Sequence, residues 1–106
     1  MKELLIVETR DAAEHRGPER DSELAAGMRQ AAVPTTIFLT ENGVFAARRG
    51  HKMLDSAMAA GVAVVADSFA LNERGIGPEE LRDGIDVSDV GLVVDRLAAG
   101  SCVMWR

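Results

Sequence analysis

Three uninterrupted apolar runs, Leu4–Val7, Thr36–Leu39 and Val62–Ala66, most constrain the fold. A strand with one solvated face alternates apolar and polar residues. A strand covered on both faces does not alternate, and such strands belong to parallel sheets packed between helices. Cys102–Trp105 is a fourth candidate strand, and Ile85–Val87 a weaker fifth.

Helical patterns separate these runs. From Ser22 to Ala32, the residues Leu24, Ala25, Met28 and Ala32 fall on one face, with Asp21 or Ser22 placed to cap the start. From His51 to Ala60 the stripe is Leu54, Ala57 and Met58, and Gly61 occupies the left-handed position after the helix. From Asp89 to Ala99 it is Val90, Val93, Val94 and Leu97, with Ser88 as the expected cap and Gly100 as the stop. A short helix after Asp67 should end at Gly75 in a Schellman turn, which brings Leu71 against Ile76. In "GPEELRDG", Pro78 suits a first helical position, Glu79 and Glu80 suit the positive end, and Gly84 can stop the turn. Strands alternating with helices predict an α/β fold, three layers with a parallel sheet between helices. The 106 residues suit one domain, 1–106. The long irregular piece is Thr9–Asp21, read as a solvated loop.

Composition narrows the function. Aromatic residues are 4% of the chain and hydrophobic residues 47%, so the core is built from Ala, Val, Leu, Ile and Met. A net charge of -5 argues against nonspecific binding of nucleic acid or anionic membranes, which needs clustered Lys and Arg. The lone cysteine, Cys102, can form neither an internal disulfide nor a multi-cysteine metal site. The N-terminal apolar run is too short for a signal peptide, and no stretch approaches the ~20 apolar residues that span a bilayer. The expectation is a soluble cytoplasmic domain.

Ligands of open parallel sheets bind beyond the carboxyl ends of the strands. Four stretches should meet there: the loop from Thr9, "TENGV" after Leu39, the Asp67–Ser68 junction, and Trp105–Arg106. Asp67 precedes a helix start, where free N–H groups favour a capping carboxylate over a general base, because those donors lower a carboxyl pKa. The same carboxylate would repel an anionic ligand. "RRGHK", Arg48–Lys52, is the only cationic cluster and reads as a solvated face. His15 and His51 share no helical spacing that would bind zinc. Cys102 reads as a small buried hydrophobe. Nucleotide-binding glycine motifs and the G-x-S-x-G elbow are absent, and no cofactor is expected.

Three segments, "ENGVFAARRG", "AAGVAVVADSFALNERGI" and "LRDGIDVSDVGLVVDRLAAG", resemble the DsrE/DsrF/DsrH-like domains, which include the TusD-type sulfur-relay subunits. The resemblance spans nearly the whole chain. It implies a five-stranded parallel sheet of flavodoxin- or Rossmann-like topology and homo- or hetero-oligomers, often trimers or hexamers. Sulfur-relay members carry a cysteine just after the third strand, a few residues before an Arg-Gly pair, and that cysteine holds a persulfide. Here the pair is Arg74-Gly75 and the cysteine's position is held by Asp67. A carboxylate cannot carry a persulfide, so sulfur transfer at position 67 is excluded. The resulting expectation is a non-catalytic oligomeric binding or scaffold subunit, with a protein partner left open. The alternatives are a ligand cleft formed by Asn42, Gly43, Asp67, Ser68 and Arg74, with His51 a further contributor, and a thiol role for Cys102 in a different geometry.

Overall fold

A computed structural model describes residues 3–106. Strands β1 (Leu4–Glu8), β2 (Thr35–Leu39), β3 (Ala63–Asp67), β4 (Ile85–Ser88) and β5 (Cys102–Trp105) form one sheet in the order β4-β3-β2-β1-β5. All four pairings are parallel. The five predicted strands are present, each with its ends shifted by no more than a residue.

The helices are α1 (Gly17–Gln30), α2 (Asp55–Ala59), α3 (Ser68–Glu73) and α4 (Gly91–Ala98). Strand order fixes where they lie. From β1 to β4 each step moves in one direction, so right-handed crossovers put α1, α2 and α3 on one face. The step from β4 to β5 runs back across the sheet and leaves α4 alone on the other. The core divides accordingly. Leu4, Ile6, Ile37, Leu39 and Val64 pack with Ala25, Ala57, Ala70 and Leu71 of α1, α2 and α3. Leu5, Val7, Phe38 and Val65 pack with Val93 of α4.

Several boundaries differ from the sequence reading for identifiable reasons. The loop predicted to Asp21 ends at Arg16, because Pro18 serves as a first-turn proline and α1 begins at Gly17. Asp21 and Ser22 are therefore buried side chains within α1 rather than caps. The stretch "TENGV", expected as a loop, runs into a 3-10 helix, Glu41–Ala47. Ser88 does not cap α4: the N-cap residue is Val90, and Asp89 Oδ1 accepts from the Gly91 amide at 2.8 Å in the turn that leads into the helix. The apolar stripe of α4 is only partly core: Val93 is buried, whereas Val90, Val94 and Leu97 are 55–61% exposed. Among the described residues, no helix is long and apolar enough to cross a membrane.

The end of α3 follows the Schellman geometry. Ile76 N–H donates to Leu71 O at 3.0 Å, Gly75 N–H donates to Asn72 O at 3.2 Å, and Gly75 has φ +66°. Leu71 and Ile76 are both buried in the larger core cluster. A Cβ at Gly75 meets no steric obstacle, so its cost is conformational. Gly75→Ala should lower stability by about 1 kcal/mol, a fall in Tm of about 4–8 °C, and leave the fold intact. Thermal unfolding followed by circular dichroism checks this; an unchanged Tm would refute the role of the left-handed turn.

Candidate functional site

The carboxyl ends of the strands are tied together by a row of hydrogen bonds. Thr9 donates to the Arg106 carbonyl through its N–H at 3.2 Å and its Oγ1 at 2.5 Å. Thr40 N–H donates to the Glu8 carbonyl at 3.0 Å. Thr40 Oγ1 donates to Asp67 Oδ2 at 2.6 Å. The four stretches expected at this edge therefore do meet, because parallel pairing aligns all their strand ends.

Asp67 is 6% exposed and both of its oxygens are engaged. Oδ2 takes the Thr40 hydroxyl and Oδ1 the Phe69 amide at 3.2 Å, which makes Asp67 the side-chain cap of α3. A carboxylate occupied in this way is a poor general base, since a substrate proton would have to compete with two internal donors.

The neighbouring positions are also committed to the protein. Gly43 packs flat on β1: a Cβ there would land on the Glu8 carbonyl oxygen, well inside van der Waals contact. Arg74 donates through Nε and Nη2 to Asn42 Oδ1 at 3.1 and 2.9 Å, and through Nη1 to Ala70 O at 3.2 Å. The Phe45 ring lies between two guanidinium groups, with Arg48 at 5.1 Å and Arg74 at 5.9 Å from its centroid. Glu41 turns the chain from β2 into the 3-10 helix at φ +49°, an uncommon conformation for a residue with a side chain. Ser68 is half-buried and lines a separate apolar cleft of about 160 Å³ with Leu71, Ile76, Leu81 and Val87.

Other residues marked by the sequence lie elsewhere. His51 accepts from the Met53 amide at 3.3 Å and lines an open groove of about 450 Å³ with Arg49, Lys52, Asp55, Arg82 and Asp83. One cation of "RRGHK" is neutralised there, Arg49 by Asp83 at 3.1 Å, and Arg82 across the groove pairs with Asp55 at 2.6 Å. His15 is exposed. Cys102 pairs in register with Leu4, at the amino end of the sheet and thus at the edge opposite Asp67. It is exposed, which corrects the expectation of a buried hydrophobe; an edge strand with no helix over its start leaves the thiol open. Among the described residues, no three His, Cys, Asp or Glu side chains are grouped to hold a metal ion.

The sequence reading missed a second acidic centre, at the point where the strand order reverses between β1 and β5. Glu8 ends β1 with its side chain 1% exposed. Arg10 spans two carboxylates, reaching Glu8 Oε1 and Asp21 Oδ2 at 3.1 Å each. Arg106 approaches Asp21 Oδ1 at 3.4 Å. Glu8 Oε2 is buried without a hydrogen-bond partner. Burial and the adjacent Asp21 push the Glu8 pKa up to about 7, against the opposing pull of Arg10. The only sequence signal was an acid that closes an apolar strand, two residues before Arg10 and far along the chain from Asp21.

No family model matches this chain, and no curated protein matches it. Solved structures do. The fold is that of the YchN protein from E. coli, with a TM-score of 0.88 at 20% identity over 100% of both chains. A conserved protein of unknown function from Bacteroides thetaiotaomicron, BT1422, superposes with a TM-score of 0.80 at 15% identity, covering 99% of this chain and 95% of that one. MTH1491, a protein of unknown function from Methanobacterium thermoautotrophicum, gives 0.72 at 22% identity, covering 97% and 96%. Full coverage at such low identity shows that the architecture is shared from end to end.

Two substitutions separate capping from chemistry at the junction. Asp67→Ala should lower stability by about 1–3 kcal/mol, through loss of the cap and of the acceptor for the Thr40 hydroxyl. Asp67→Asn, which keeps an acceptor for the Phe69 amide, should recover most of that loss. Denaturant unfolding of both variants checks the order; equal stabilities would contradict the cap.

Proposed function

We propose that this chain is a DsrE-like binding or scaffold subunit that assembles with copies of itself and carries no sulfur at position 67. The observation behind this reading is Asp67, buried and holding the Thr40 hydroxyl and the Phe69 amide on its two oxygens. Sulfur-relay members of the resembled family keep a cysteine at this junction. Here the position closes a helix and ties β2 to β3.

Self-assembly is supported by α4, which exposes several large apolar residues alongside Asp95 and Arg96. Val93 faces the sheet, and Val90, Val94 and Leu97 face outward. Clustered exposed apolar residues of this kind mark a surface that is normally covered. Trp105 lies on the same face of the sheet as α4, two residues beyond Val103, and is 60% exposed. A second copy of this chain is the proposed cover. A trimer or hexamer is the state implied by the resemblance, and a separate protein partner is the alternative cover.

A second reading rests on Cys102, whose exposed thiol is open to modification at the opposite edge. A third, a small ligand at Asn42, Asp67, Ser68 and Arg74, requires displacing the internal bonds of Asp67 and Arg74.

Incubation with a persulfide donor followed by intact mass measurement should give no stable addition of a sulfur atom. An adduct mapping to Cys102 would replace the scaffold reading with the thiol reading. Sedimentation should find an oligomer for the native chain and a smaller species for Val94→Asp. A native monomer would overturn self-assembly.

A further inference from the structure

Two carboxylates are bridged at the carboxyl edge, where Arg10 reaches both Glu8 of β1 and Asp21 of α1 at 3.1 Å. Glu8 has one oxygen on Arg10 and the other buried without a donor. An ionised carboxylate is acceptor-only, so Oε2 would forfeit its hydration with nothing in return. A protonated Glu8 instead becomes a donor, and Asp21, the acid that shares Arg10 with it at 3.1 Å, is an acceptor. The orphan oxygen and the paired acids thus have one explanation: a proton held between strand and helix.

The remaining charges around the pair are few. Beyond the strand, Arg10 contacts both acids, with its side chain 34% exposed. From the end of β5, Arg106 reaches Asp21 alone at 3.4 Å, with its side chain 42% exposed. The rest of β1 is apolar, and β2 and the 3-10 helix meet Glu8 through Leu39, the Thr40 amide and Gly43. The guanidinium groups are open to water and therefore screened, whereas Glu8 is not.

We propose that Glu8 and Asp21 form a proton-held latch that fastens the first turns of α1 to the carboxyl edge of the sheet when protonated and loosens them when the proton leaves. Loss of the proton places two like charges side by side in a dry site. The cheapest relief is movement of Asp21, which lies one turn from the α1 start at Gly17. The Arg10–Arg16 connection is a local turn, in which the Ala13, Glu14 and His15 amides donate to Asp11, and it carries no helix or strand. The edge affected is the one where Thr9, Thr40 and Arg106 are tied together.

The direction of the pH effect follows from linkage. The folded chain binds this proton more tightly than the unfolded chain does. The pair therefore favours folding fully below about pH 4.5, and the advantage is lost as pH rises through about 7. Relative to Glu8→Gln, the native folding constant should fall by the order of a hundredfold across that window.

Carbon-13 NMR titration of the Glu8 carboxyl in the intact protein tests the latch directly. The expected midpoint is about 7, moving down in Asp21→Asn. Amide exchange in the first two turns of α1, corrected for its intrinsic pH dependence, should accelerate above neutrality in the native chain and not in Glu8→Gln. A Glu8 midpoint near that of a free glutamate would overturn the proposal. So would a high midpoint that Asp21→Asn leaves in place, because burial alone would then account for it. Should Glu8→Gln fail to fold, the native titration and the Asp21→Asn shift decide the matter.

Discussion

Parallel pairing of β1, with β2 on one side and β5 on the other, is the constraint on which the rest of this structure depends. Leu5, Ile6 and Val7 are fully buried between the two helical layers. Each contributes on the order of 1.5–3 kcal/mol by removal from water. Because side chains alternate, the same register that buries Ile6 under α1 turns Glu8 to that face as well. A slip of one residue would send Ile6 to the α4 side and Glu8 away from Asp21. The core contacts therefore also hold the polar edge in place. They set Thr40 against the Glu8 carbonyl and bring Thr40 Oγ1 within 2.6 Å of Asp67.

Two acids at that edge meet opposite fates. Asp67 stands at a helix start, where backbone donors are free, and a threonine hydroxyl supplies the second bond. Glu8 stands beside the flank of a helix, and the α1 group that shares its Arg10 partner is another acid, Asp21. Distance along the strand does not separate these cases. The difference is whether the facing helix offers its end or its flank.

The sheet is also unequal in its two coverings. Three helices share one face, while α4 alone crosses the other and carries Val90, Val94 and Leu97 outward. This follows from a strand order that steps in one direction three times before turning back. An apolar outer surface on the only helix of a face is the physical basis for expecting an assembly, independently of any resemblance.

Much of the fold was legible in the residues themselves. Uninterrupted apolar runs mark strands buried on both faces. Gly75 with Leu71 and Ile76 marks a helix end, and Asp67 before Ser68 marks a helix start, because these signals act over a few residues and need no distant partner. The same locality explains the misreadings. Asp21 and Ser22 look like caps to a local rule, and Val94 and Leu97 look like core, because a helical stripe does not say which side finds a neighbour. Sequence by itself determined the element types, the parallel sheet and a carboxylate, not a thiol, at position 67. Only tertiary structure decided that Glu8 would meet Asp21, that Arg10 would bridge them, and that Cys102 would sit at the far edge. Those outcomes depend on strand order and register, which bring together groups that no short-range pattern connects.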